Sequence, residues 1–174
     1  IPLLGSIKMM KGLIIIVMFL LGIFANAQSF NFGDKTYKNG DTLITYQIVF
    51  DLAKWDITEH SQPFLDSLID FLKTNETLDI EITNHTDFPG RKESSTFITQ
   101  YRADAIKSYL INSGIKASRI KAIGYENDYP IYNWEYIDSL PSETEKQKAQ
   151  TVNRRTEIIL APDLEKLFQL IQTK

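Results

Sequence analysis

Two residues in the stretch Asn84–Arg102 have side chains that could do chemistry together. Asp87 follows an alternating apolar segment and precedes a helical one. Arg102 lies on the wheel of that helix among Ile98, Ala105, Ile106 and Tyr109. A guanidinium set into an apolar face must meet a carboxylate, a ligand or water, because an unpaired buried charge is strongly unfavourable. Each residue has an ordinary use when taken alone. A loop aspartate closes Asx turns, and an arginine snorkels from the edge of a core. Together they put an acid and a base at the mouth of one strand-to-helix connection, where the helix N-terminus adds free N–H donors. Such a mouth suits a zwitterion: the carboxylate takes an ammonium and the planar guanidinium takes a carboxylate through two parallel bonds.

Other chemistries have less support. The chain has two histidines, His60 and His85, and no cysteine. One histidine beside one carboxylate is a poor metal cage, so His85 is expected to buttress its loop, and no metal or cofactor is expected. There is no HExxH pair, no G-x-S-x-G elbow and no phosphate-cradling glycine loop. A catalyst is therefore not expected.

The elements that must position this pair follow from hydrophobic period. Ile44, Tyr46, Ile48 and Phe50 alternate with Thr45, Gln47 and Val49 behind the turn pair Asn39-Gly40, which predicts a first strand with one buried face. Phe64, Leu65, Leu68, Ile69, Phe71 and Leu72 form a helical stripe starting near Ser61, with Pro63 in its first turn. Leu78, Ile80 and Ile82 alternate as a second strand. A second helix is expected from about Ser95 to Asn112, stopped by Gly114, and a third strand over Ile120–Tyr125. Residues 126–152 read as an insertion with a polar helical piece, followed by a strand over Thr156–Leu160 and an amphipathic helix over Asp163–Thr173. The order predicts an α/β (α+β) sandwich, a βαβαββ-type core sheet with helices on one face plus a C-terminal helix.

The first 27 residues differ in kind. Lys8 and Lys11 flank Met9-Met10, an apolar run covers Gly12–Phe24, and Ala25-Asn26-Ala27 gives a small-x-small cleavage pattern. The run is shorter than the about 20 residues of a membrane-spanning helix. A cleaved export signal is therefore expected, with residues 28–43 as hairpin or linker and 44–174 as the domain. Loss of Lys8 and Lys11 takes the basic count from 19 to 17 against 22 acidic residues, a net charge of −5. That balance argues against nucleic acid as a partner. Without cysteine there is neither a disulfide nor a lipid anchor.

Four segments in order resemble one family. Ile48-Val49-Phe50-Asp51 resembles its opening strand motif, and Asn84-His85-Thr86-Asp87-Phe88-Pro89-Gly90 its GHTDxxG loop. Ile98-Thr99-Gln100-Tyr101-Arg102-Ala103 resembles LSxxRA, and Asn153-Arg154-Arg155-Thr156-Glu157-Ile158 resembles NRRVEI. Ser118-Arg119-Ile120 with Gly124-Tyr125 matches SRI…GY. Over about Ile44–Leu160 the chain thus resembles the OmpA-like peptidoglycan-binding domain of outer-membrane proteins, peptidoglycan-associated lipoproteins and flagellar stator proteins. The resemblance implies that Asp87 and Arg102 hold the diaminopimelate of the peptidoglycan stem peptide, with Thr86 and Arg154 beside them. It implies a periplasmic, envelope-associated protein, with an outer-membrane or envelope protein as a further candidate partner. Three positions depart from the pattern: Ser95 replaces the family's asparagine as the rim partner, Ala53 a polar residue, and Asn84 the glycine that opens the loop. These departures, and the aromatic insertion with Tyr129, Tyr132, Trp134 and Tyr136, leave a second reading open, a protein-interaction module on the same fold.

Overall fold

The computed structural model describes residues 28–87 and 92–161, with backbone alone for 92–96. The export-signal segment, the Pro89-Gly90 turn and the C-terminal helix expected from the sequence lie outside the described residues. Four strands and four helices occur among them: β1 (Thr42–Thr45), α1 (Gln62–Thr74), β2 (Asp79–His85), α2 (Lys92–Asn112), β3 (Ile120–Glu126), α3 (Trp134–Ser139), α4 (Glu143–Asn153) and β4 (Thr156–Ala161). The strands form one mixed sheet in the order β1-β4-β2-β3. β2 and β3 run parallel through the crossover α2, while β4 lies antiparallel between β1 and β2.

Register stacks the inward side chains in rows across the sheet. Ile120, Ile80 and Leu160 form one row, and Ala122, Ile82, Ile158 and Leu43 the next. Gly124, Asn84, Thr156 and Thr45 form a polar row at the end where β2 runs out. The apolar rows meet the stripe of α1, whose Phe64, Leu65, Leu68, Ile69, Phe71 and Leu72 are all buried as their spacing predicts. Pro63 sits in the first turn of α1, where its missing N–H costs nothing. Ahead of β1, buried Phe30 stacks on Phe71 with ring centroids 5.7 Å apart, so the segment before the sheet joins the same core.

Gly124 sets the distance between α2 and β3. A Cβ there would lie 2.2 Å from the backbone nitrogen of Gln100, so only glycine lets the helix come this close. The contact is fastened by Gln100, whose Oε1 accepts from Gly124 N–H at 2.9 Å and whose Nε2 donates to the Ala122 carbonyl at 3.2 Å.

The first strand differs from expectation. It ends at Thr45, and its pleat is one residue out of phase: Thr45 is buried, whereas Ile44 and Tyr46 are exposed. Thr45 Oγ1 accepts from Gln47 N–H at 3.1 Å and turns the chain out of the sheet. Ile48 is still buried and Phe50 still packs on the core, from an irregular segment. Val49 N–H donates to Ser61 Oγ at 2.9 Å and Thr58 Oγ1 donates to the Val49 carbonyl at 3.0 Å. Ser61, at the N-terminus of α1, thus spends its hydroxyl on a long-range tie to Val49 and makes no cap bond.

Candidate binding site

Thr86 and Asp87 follow directly on β2. The β2–β3 register shifts between Asn84 and His85, and such an irregularity re-aims the residues that follow it. Backbone bonds then fix the exit on both sides, from His85 N–H to the Arg155 carbonyl at 3.0 Å and from Thr86 N–H to the Glu126 carbonyl at 2.9 Å. The Asp87 carboxylate accepts from Thr86 Oγ1 at 3.3 Å and forms an ion pair with Arg154 Nη1. The pair is asymmetric, because the Asp87 side chain is 14% exposed and that of Arg154 49%. Arg154 has one further tie, Nη2 to Thr151 Oγ1 at 2.7 Å, in the last turn of α4. The sequence-predicted residues Thr86, Asp87 and Arg154 are therefore brought together.

Arg102 is placed otherwise. The buried face of α2 is Thr99, Ala103, Ile106 and Leu110, and Arg102 lies on its flank, half-buried, rather than within it. Among the described residues Asp87 is paired with Arg154 and not with Arg102. Arg102 Nε donates to the Lys54 carbonyl at 2.9 Å and Nη2 to the Asp51 carbonyl at 3.2 Å, while its Cζ stands 4.9 Å over the Phe50 ring. The turn offering these carbonyls holds Ala53 at φ +57°, a left-handed conformation unfavourable for a residue with a Cβ. Burial lowers the Arg102 pKa from its ordinary value, yet a guanidinium stays charged in proteins. Nη1 carries no hydrogen bond among the described residues. The side chain of Ser95, and the loop from Phe88 to Arg91, lie outside the described residues.

The sequence reading passed over a buried ionic cluster on the opposite face of the sheet. Arg155 follows Arg154 in the link between α4 and β4, and is buried where Arg154 is exposed. Its Nε donates to Glu157 Oε1 at 2.6 Å, Nη1 to the Asn153 carbonyl at 3.3 Å and Nη2 to the Tyr129 carbonyl at 3.0 Å. His85 joins this cluster, with Nε2 3.0 Å from Thr83 Oγ1 and its ring stacked on Tyr125 at 5.7 Å. Burial first, and then the charge of Arg155, push the His85 pKa down to about 4, against an opposing pull from Glu157. The two-residue spacing of Arg155 and Glu157 was the available signal, since residues i and i+2 of a strand share a face. No group of three or more potential metal ligands occurs among the described residues.

A mixed sheet with one parallel crossover, carrying a carboxylate–guanidinium pair where β2 ends, defines an α/β domain. The chain belongs to the OmpA family, whose model matches residues 49–139. It is 27% identical over 114 residues to outer membrane porin F of Pseudomonas fluorescens, covering 66% of this chain and 32% of that protein. It is 29% identical over 83 residues to the peptidoglycan-associated lipoprotein of Haemophilus influenzae, covering 48% of this chain and 54% of the relative. The chain thus spans about a third to about half of these relatives. The crystal structure of the peptidoglycan-associated lipoprotein from Burkholderia pseudomallei shares the fold, with a TM-score of 0.53 at 21% identity over 65% of this chain and 87% of that one. The family's members are structural, non-enzymatic proteins, and this domain is one of them. No helix among the described residues is long and apolar enough to cross a membrane.

Proposed function

We propose that this domain binds peptidoglycan non-covalently in the periplasm, through the diaminopimelate of the stem peptide, and so ties its protein to the cell wall. The observation that carries this reading is the unequal Asp87–Arg154 pair: a largely buried carboxylate whose counter-ion is half exposed and exchangeable. An incoming ammonium takes the place of Arg154 Nη1 on Asp87, and the freed guanidinium remains at the rim to meet the ligand. Thr86 holds the carboxylate in orientation. Arg102 receives the ligand carboxylate, and Ser95 completes the rim. The peptidoglycan-associated lipoproteins among the relatives support the ligand class.

Co-sedimentation with purified sacculi tests the reading. Wild type pellets with sacculi, and Asp87→Ala and Arg102→Ala each leave most of the protein in the supernatant. Unimpaired pelleting of both variants would place the site elsewhere. A second reading, an interaction module on the same fold, draws on the insertion, where Tyr129, Tyr132, Trp134 and Tyr136 are exposed and Tyr132 stacks on Tyr136 at 5.0 Å. Failure of wild type to pellet would favour it.

A further inference from the structure

A second feature lies beside Arg102 that neither the zwitterion site nor the core uses. Phe97 and Tyr101 are one turn apart on α2, with ring centroids 6.4 Å apart and planes 27° from parallel. Trp55 extends the row from the neighbouring loop, its centroid 5.0 Å from that of Tyr101. All three rings are exposed, at 61%, 47% and 46% for Phe97, Tyr101 and Trp55. The helix is already seated by Ala103, Ile106 and Leu110, so packing does not require them. The row is also held in place: Arg102, adjacent to Tyr101, grips the carbonyls of the Asp51–Lys54 turn that leads into Trp55. The guanidinium and the aromatic row therefore belong to one fastened unit.

We propose that Trp55, Tyr101 and Phe97 form a carbohydrate-stacking strip that takes the amino-sugar strand to which the stem peptide is attached. This inference rests on the peptidoglycan reading and extends it from peptide to glycan. A pyranose ring offers C–H groups on its face and hydroxyls around its rim. The face covers an aromatic ring and removes apolar surface from water, while the hydroxyls stay hydrated or meet charged neighbours. Those neighbours are present, since Asp51, Lys54, Asp56 and Asp104 are all exposed around the row. A strip one ring wide with a charged border suits a polysaccharide chain better than a globular partner, which buries about 800 Å² on each side. Continuity argues the same way: a stem peptide held at Arg102 by its third residue is tethered covalently to its sugar through two further residues, a reach of about 7 Å or somewhat more, so the sugar stays within range of the surfaces around that arginine.

The test uses a β-1,4-linked N-acetylglucosamine hexamer, which carries the sugar backbone and no stem peptide. The chain has two tryptophans, Trp55 and Trp134, so Trp134→Phe leaves Trp55 as the only indole reporter. Titration of the full chain carrying Trp134→Phe should give a saturable change in indole fluorescence. Trp55→Ala and Tyr101→Ala, both at exposed positions, should each weaken sacculus binding about tenfold while leaving the affinity for a free diaminopimelate stem tripeptide unchanged. A flat titration, with sacculus binding of Trp55→Ala equal to wild type, would overturn the strip. If the tripeptide still binds in that case, the peptidoglycan reading stands and only the glycan contact fails. If the tripeptide does not bind either, both fall.

Discussion

Arg154 and Arg155 are neighbours in the chain and opposites in the structure. Arg155 is buried, and its Nε, Nη1 and Nη2 each donate to a protein acceptor. Arg154 is half exposed and holds one carboxylate and one hydroxyl. In the link between α4 and β4 the chain turns Arg155 into the fold and leaves Arg154 at the surface beside Asp87. A cation whose donors are consumed internally is part of the scaffold, because removing it strands a buried partner. A cation that is itself half exposed contributes less, because water reaches the carboxylate it leaves, and it can change partner more cheaply. Arg102 falls between them: half-buried, it carries two carbonyl bonds and an aromatic face, and no carboxylate among the described residues.

The largest effect should come from the buried side of this contrast. Arg155→Leu leaves Glu157 without its partner beside a buried histidine and should cost about 3–5 kcal/mol of stability, measured by urea denaturation. A loss below about 1 kcal/mol would mean that Arg155 is no more structural than Arg154. His85 should produce the next effect, as a pH dependence. Its folded pKa, about 4, lies below the ordinary 6.5, so the unfolded chain takes up the proton first. The associated stability is complete above about pH 6.5 and is lost progressively as the pH falls towards 4. The loss amounts to at most roughly 3 kcal/mol. Denaturation midpoints across that window should show the loss, and His85→Gln should remove this component of it. Arg154→Ala should change stability by no more than about 1 kcal/mol, yet weaken sacculus binding by about threefold to tenfold. The reverse pattern, a large stability loss with unchanged binding, would erase the distinction between the two arginines.

Much of the scaffold was legible in the residue pattern. The stripe of α1, the Ile80–Ile82 alternation, the Gly114 stop and the strand over Thr156–Leu160 all follow from local period, because burial there is continuous along each element. The first strand was misread because Ile44, Tyr46, Ile48 and Phe50 do alternate. The path of the chain there is fixed at Val49 by Thr58 and Ser61, 9 and 12 positions further on, and no local period reports that. The site shows the same division. Its place in the loop marks Asp87, the family resemblance alone marks Thr86 and Arg154, and the fold assembles the three at the end of β2. The residue pattern also marked Arg102 as an oddity on its helix. The carbonyls that hold Arg102 come from a turn about fifty positions earlier, so its seat could not be read locally. Arg155 was missed although the Arg155–Glu157 spacing was visible, because an arginine and a glutamate on one strand face read equally well as a solvated pair.

If Asp87 and Arg102 together receive a zwitterion, calorimetric titration with two purified muropeptides separates the contribution of each charge. One carries diaminopimelate at the third position and the other lysine, which keeps the ammonium and lacks the extra carboxylate. Wild type should prefer the diaminopimelate form by about tenfold or more, the worth of one charge-assisted interaction. Arg102→Lys should abolish that preference, and Asp87→Asn should weaken both ligands alike. Equal affinity of wild type for the two muropeptides, or unchanged binding in both variants, would contradict the account.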